Sequence, residues 1–167
     1  EGRKFLRFGS ELGEPAVTEA EASQDDWISL YIHIPFCKTL CPFCCFNRYL
    51  FTEDKARRYF QNLRKEIALY IQRGFRFSNF YFGGGTPTVQ MDELVSFIDF
   101  LRENFAVKEI SLETTHRELN QDNIALLQKA GVNRLSIGVQ SFDNDVLKSM
   151  GRMVGTGVRF RCVGYRR

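Results

Sequence analysis

The amino-acid sequence predicts an α/β fold, a parallel sheet wound by strand–helix units that form part of a (β/α) barrel. Two observations carry this. Short β-rich runs alternate four times with segments of helical period between residues 27 and 152, and such alternation implies right-handed crossovers and parallel strands. Each of the four strands is also closed or followed by an unusual feature: a cysteine-rich loop, a run of glycines, Glu113 and Gln140. A doubly wound sheet would give the same alternation. A barrel gathers the C-terminal ends of its strands on one face, where its sites are built, so it accounts for special residues at four equivalent places.

The first strand is read over Ile28–Ile34, a run of β-formers that ends at Pro35. After the cysteine loop, Thr52 stands at the N-cap position of a helix with Glu53 and Asp54 in its first turn, where acids suit the dipole. Ala56, Tyr59, Phe60, Leu63, Ile67, Tyr70 and Ile71 share one helical face, and Gly74 ends the helix. The second unit is a strand over Asn79–Phe82, the turn GGGTPT, and a helix over Asp92–Asn104 with Leu94, Val95, Ile98 and Leu101 on one side. The third is a strand over Glu109–Glu113 and a helix over Asn120–Ala130 stopped by Gly131. The fourth is a strand over Arg134–Gln140 and a short helix capped by Asp143 that runs to Met150.

The chain of 167 residues is 44% hydrophobic and 26% charged, an ordinary composition for one globular domain. Its apolar runs are short and broken by charge, so the sequence offers no membrane span and no signal-like leader. The net charge of +3 is misleading. Arg159, Arg161, Arg166 and Arg167 lie in a tail without acids, and the remaining bases no longer outnumber the acids. The body therefore gives no electrostatic case for nucleic acid. Residues 1–26 hold three bases against seven acids and read as an acidic leader or linker before a domain at 27–152. Residues 153–167 fit neither period and read as a basic tail foreign to the fold. The chain begins at Glu1 instead of Met, which suits a fragment or a trimmed chain. Four of the five cysteines fall between positions 37 and 45, which suits a metal or cluster site in a reducing compartment, the cytoplasm.

Cys37, Cys41 and Cys44 have the spacing C-x3-C-x2-C. One loop with three such thiolates can serve three irons of a cubane and leave the fourth iron open. Pro35 and Pro42 stiffen this loop, and Phe36, Phe43 and Phe46 are placed to shield a cluster from water. From the cysteines alone, a zinc site completed by His33 or Cys45, or a set of buried thiols, is the alternative. His33 itself reads as a satisfied core histidine. The turn Gly83–Thr88 is neither a P-loop nor a dinucleotide fingerprint. Its glycines either admit a ligand to the backbone or merely make a tight bend. Glu113 and Gln140, taken singly, are solvent-facing strand exits; together with the cysteine loop and the glycine turn they mark one face of a barrel.

YIHIPFC, C-x3-C-x2-C, GGGTPT, GVNRLSIGVQSF and MGR occur in this order between Ser29 and Arg152, and the set resembles the radical S-adenosylmethionine superfamily. Within it, the resemblance is to the branch of oxygen-independent coproporphyrinogen III oxidases and their heme-chaperone-like relatives. The resemblance implies a barrel of which about four of six strand–helix units are present. It implies that Cys37, Cys41 and Cys44 ligate a [4Fe–4S] cluster. Gly84, Gly85 and Thr86 would hold the methionyl end of S-adenosylmethionine, and Tyr31, Glu113, Gln140 and Arg152 would contact cluster or cofactor. It further implies reductive cleavage of the cofactor to a 5′-deoxyadenosyl radical, a tetrapyrrole substrate or heme, and an electron donor such as flavodoxin or ferredoxin. The decarboxylating oxidases have a further cysteine two positions after the third ligand. Here that position is Phe46 and the extra cysteine is Cys45, a departure that favours the heme-handling relatives. A third reading is a truncated fragment without activity.

Overall fold

The computed structural model describes residues 28–152. The proposed leader and the basic tail with Cys162 lie outside the described residues. The strands β1 (Ser29–Ile34), β4 (Asn79–Gly84), β5 (Glu109–Thr115) and β6 (Arg134–Gly138) form one sheet in that order, every pair parallel. The order never reverses. This is the winding of a barrel wall; a doubly wound sheet needs a switch point.

Alternation along the strands divides the sheet into two faces. Ile32 and Ile34, Phe80 and Phe82, and Ile110 and Leu112 are buried in one cluster with residues of α1 (Glu53–Gln72), α2 (Met91–Asn104) and α3 (Gln121–Ala130). Phe60 of α1 meets Phe97 of α2 edge-on at 5.8 Å, and Phe97 meets Phe82 the same way at 6.2 Å. Burying such a ring is worth about 1.5–3 kcal/mol, so this aromatic column is a main support of the sheet. The opposite face carries Tyr31, His33, Tyr81, Ser111, Glu113 and Ser136, the polar side that a barrel turns inward.

The helix signals fall where expected, with one difference in chemistry. Thr52 occupies the N-cap of α1 but its hydroxyl makes no capping bond. Asn120 accepts from the Asn123 amide at 2.7 Å, and Asp143 caps α4 (Asn144–Ser149) through the amides of Asp145 and Val146. Gly131 ends α3 with φ 93°, and the Gly131 and Val132 amides return to Gln128 and Leu127. β6 stops at Gly138, two residues short of the expected Gln140. Gln140 lies beyond the strand with φ 73°, an unusual value for a residue with a Cβ.

Two elements escape the sequence reading. Phe36–Cys37 (β2) pairs in parallel with Tyr49–Leu50 (β3) as a separate ribbon, and Pro87–Gln90 makes a 3-10 turn before α2. Both are too short to show a period. Among the described residues, no helix is long and apolar enough to cross a membrane.

Candidate functional site at the C-terminal ends of the strands

The cysteine loop leaves β1 and is closed by backbone. The Tyr49 and Phe51 amides bond the carbonyls of Pro35 and Cys37 at 2.6 and 2.9 Å, so both ends of the loop are tied together. Inside it the Cys44 amide turns back to the Cys41 carbonyl at 3.1 Å. Arg48 reaches in and donates to the carbonyls of Cys41 and Phe46. Its Nε is buried without a partner, an orphan donor beside the cysteines.

The glycine turn is stitched to the same loop. The Gly85 amide bonds the Ile34 carbonyl at 2.8 Å, and the Thr86 amide bonds the Phe36 carbonyl at 2.7 Å. This gives the glycines a packing role of their own. A Cβ on Gly85 would lie 2.6 Å from the Phe36 oxygen and 2.8 Å from its nitrogen, so it would strike the cysteine loop's own backbone instead of filling the approach to a ligand. A Cβ on Gly84, which has φ 112°, would meet the His33 ring at 2.8 Å. The glycines here let two backbones touch. The buried Thr88 and Thr114 hydroxyls, 2.7 Å apart, then lock the following turn to β5.

Glu113 is held between neighbours on the polar face. Its carboxylate accepts from the Tyr81 hydroxyl at 2.7 Å and from the Gly84 amide at 3.3 Å. The bond to Glu113 raises the Tyr81 phenol above its ordinary value, with burial adding to it. Tyr31 stacks on Tyr81 at 5.9 Å and bonds His33 Nδ1 at 3.1 Å. His33 Nε2 meets the Asn47 carbonyl at 3.0 Å, so both ring nitrogens of this histidine have partners.

A cavity of about 770 Å³ opens at this end of the sheet. It is lined by Cys37, Cys41 and Cys44, by Gly84, Gly85 and Thr86, and by Glu113, Gln140 and Arg152. Tyr31 is not in its wall; it stands behind Gly83 on the polar face. Of the three phenylalanines expected to shield a cluster, Phe43 and Phe46 line the cavity. Phe36 belongs to the core, edge-on to Tyr59 at 5.4 Å. Arg152 donates to the Gly138 carbonyl at 2.7 Å and brings its other nitrogen to 4.0 Å from Cys41 Sγ. Cys45, exposed, also lines the cavity. Arg48 and Arg117 line it as well, and sequence reading missed both because an arginine outside a motif has no distinguishing neighbours.

The donors suit an iron–sulfur cluster. Among the described residues, no three His, Cys, Asp or Glu side chains converge on a point as the ligands of a single ion do. Cys37, Cys41 and Cys44 all line the one cavity, and a cubane takes thiolates one to each of its irons. Burial pushes the Cys37 thiol up; the Thr86 hydroxyl opposes this, the Cys44 and Cys41 sulfurs reinforce it and Arg48 opposes it. A bound cation would reverse that preference for the neutral thiol.

Residues 31–165 match the model of the Radical SAM superfamily. The chain is 38% identical over 155 residues to the oxygen-independent coproporphyrinogen III oxidase of Escherichia coli (strain K12), covering 88% of this chain and 34% of that protein. It is 35% identical over 132 residues to the heme chaperone HemW of Bacillus subtilis (strain 168), covering 75% of this chain and 35% of that protein. The solved structure of coproporphyrinogen III oxidase (HemN) from Escherichia coli, described as a radical SAM enzyme, superimposes with a TM-score of 0.69 at 38% identity. That match covers 76% of this chain and 31% of the solved one. The chain thus spans about a third of the length of the curated relatives it matches.

Proposed function

The chain belongs to the radical SAM superfamily, and on that premise we propose that Cys37, Cys41 and Cys44 hold a [4Fe–4S] cluster beside bound S-adenosylmethionine, in a protein of heme and porphyrin metabolism. The observation that carries the reading is the single cavity that takes in the three cysteines, the glycine turn, Glu113, Gln140 and Arg152. When bound, the cluster supplies the electron that splits a carbon–sulfur bond of the cofactor into methionine and a 5′-deoxyadenosyl radical.

The chain's own residues bind, orient and exclude water. A zwitterionic methionyl group needs an anion for its ammonium and a cation for its carboxylate. Glu113 and Arg152 supply the two charges in the wall of one cavity, each already steadied by the protein: Glu113 by Tyr81 and Gly84, Arg152 by Gly138. Gly84, Gly85 and Thr86, which line the cavity, and the Gln140 amide add polar contacts. Phe43 and Phe46, both exposed, add aromatic surface to a wall that is otherwise largely polar. Electrons come from a flavodoxin- or ferredoxin-like donor, in the reducing cytoplasm where free thiolates persist.

Two tetrapyrrole chemistries share this machinery. Coproporphyrinogen III oxidation is the activity named for several relatives, and heme handling is named for another. Phe46 in place of a cysteine, with Cys45 shifted by one, supports the heme-handling alternative. The test is anaerobic assay of the reconstituted chain for 5′-deoxyadenosine, with coproporphyrinogen III or heme supplied. 5′-Deoxyadenosine with loss of carbon dioxide from coproporphyrinogen supports the oxidase. A heme absorbance spectrum that follows the chain, without decarboxylation, supports the alternative. A reconstituted cluster with no effect of S-adenosylmethionine on its spectrum would count against both.

A further inference from the structure

We infer that the Thr86 hydroxyl is a hydrogen-bond donor to the Cys37 sulfur that sets the reduction potential of the cluster, which makes Thr86 a positioning residue for the electron-accepting step. The inference rests on the proposed reading that Cys37 carries an iron.

The Thr86 hydroxyl lies 3.7 Å from Cys37 Sγ, within reach of a hydrogen bond to sulfur, and Thr86 is only 7% exposed. What singles out this contact is how its ends are fixed. The Thr86 amide bonds the carbonyl of Phe36, the residue before Cys37, at 2.7 Å. One residue earlier, the Gly85 amide bonds Ile34 at 2.8 Å. One residue after Thr86, Pro87 begins a buried 3-10 turn. Donor and acceptor are therefore carried on two backbones bonded to each other, and the glycine at 85 is what allows them so close. The oxygen–sulfur contact is insulated from movement of the exposed loop beyond Cys37.

The other two sulfurs are held differently. Cys41 faces the Arg152 guanidinium at 4.0 Å, a longer contact from a residue near the opposite end of the described chain. Cys44 is placed by its amide bond to Cys41. The three ligands are thus unequal, and the only neutral hydroxyl donor aimed at a sulfur of the trio, among the bonds described, belongs to Thr86. A hydrogen bond to a ligating sulfur withdraws negative charge and favours the reduced cluster, so it raises the potential. In a protein that must take one electron from a soluble donor, that shift acts on the step preceding cofactor cleavage.

The experiment compares the chain with Thr86→Val and Thr86→Ser after anaerobic reconstitution with iron and sulfide. Iron is counted, and the clusters are titrated with dithionite while the paramagnetic reduced form is followed by electron spin resonance. Thr86→Val, which keeps the shape and removes the hydroxyl, is expected to hold iron and to have a more negative midpoint. Thr86→Ser is expected to stay at the unsubstituted value. Should Thr86→Val lose iron while Thr86→Ser keeps it, the hydroxyl holds the cluster in place and the claim that it sets the potential fails. The inference fails if Thr86→Val retains its cluster at an unchanged potential, if both variants shift alike, or if both lose iron, which would mean a packing role only. An unsubstituted chain that assembles no cluster overturns the reading of the site along with the inference; a good cluster with an unmoved potential overturns the inference alone.

Discussion

The two walls of the cavity are built by different means. On the β1–β4 side, the cysteine loop and the glycine turn are joined by consecutive main-chain bonds above a core in which Ile34, Phe60, Phe82 and Phe97 are fully buried. On the β6 side, Leu135 and Ile137 are partly open, α4 buries no residue, and Gln140 and Arg152 reach the cavity from exposed segments. Cys37, Gly85 and Thr86 thus stand on backbones bonded to each other, while Gln140 and Arg152 reach the cavity from beyond the edge strand. A group that must hold a cluster needs fixed donors; contacts to a ligand that enters and leaves tolerate more movement.

The largest effect that would break this contrast is expected at Gly85. Gly85→Val drives a side chain into the Phe36 backbone and should displace Cys37, so that iron binding is lost and the fold is weakened together. Iron analysis and circular dichroism check this; loss of S-adenosylmethionine binding with a normal cluster would return the glycine to the simpler role of admitting a ligand. Next come paired core truncations. Phe97→Ala should cost about 3–5 kcal/mol in denaturant unfolding, whereas Ile137→Ala at the open edge should cost less than about 1 kcal/mol. Equal costs would contradict the division into a rigid and a loose wall.

Arg152→Lys is expected to leave the iron content intact and weaken S-adenosylmethionine binding by roughly tenfold, the value of about one good charge-assisted bond, read by calorimetry on the reconstituted chain. The smallest effect is a pH dependence from His116. Burial lowers its basicity, and Arg152 and Arg117 lower it further. Its Nδ1 is buried without a partner. The fold therefore favours the neutral ring: its contribution to stability is present above the ordinary histidine value of about 6.5 and fades as pH falls below it toward the lowered value. Melting temperatures at pH 7.5 and 5 should differ less in His116→Gln than in the unsubstituted chain.

What could be read from the sequence follows the same contrast. The alternation of strand and helix, the caps at Asn120 and Asp143 and the stop at Gly131 were legible because each is a local rule. Nine of the ten candidate site residues line one cavity; the convergence of the cysteine loop, the glycine turn, Glu113 and Gln140 was readable from their placement after successive strands, whereas Arg152 came from the family resemblance alone. The packing role of the glycine turn was not legible. Whether a missing Cβ faces a ligand or a neighbouring backbone depends on the register of β1 with β4, which pairs Ile34 with Gly84, and no local pattern gives it. The ribbon of Phe36–Cys37 with Tyr49–Leu50 was invisible for the same reason: two residues on each side show no period. Arg48, which clamps the cysteine loop from within, lies outside any motif.

The central claim is that Cys37, Cys41 and Cys44 act together on one cluster, and iron stoichiometry tests it most directly. Anaerobic reconstitution should give a brown protein with about four irons per chain. The colour should vanish in Cys37→Ala, Cys41→Ala and Cys44→Ala, each separately, and persist in Cys45→Ala. A colourless chain that binds one zinc per molecule through the same cysteines would contradict it.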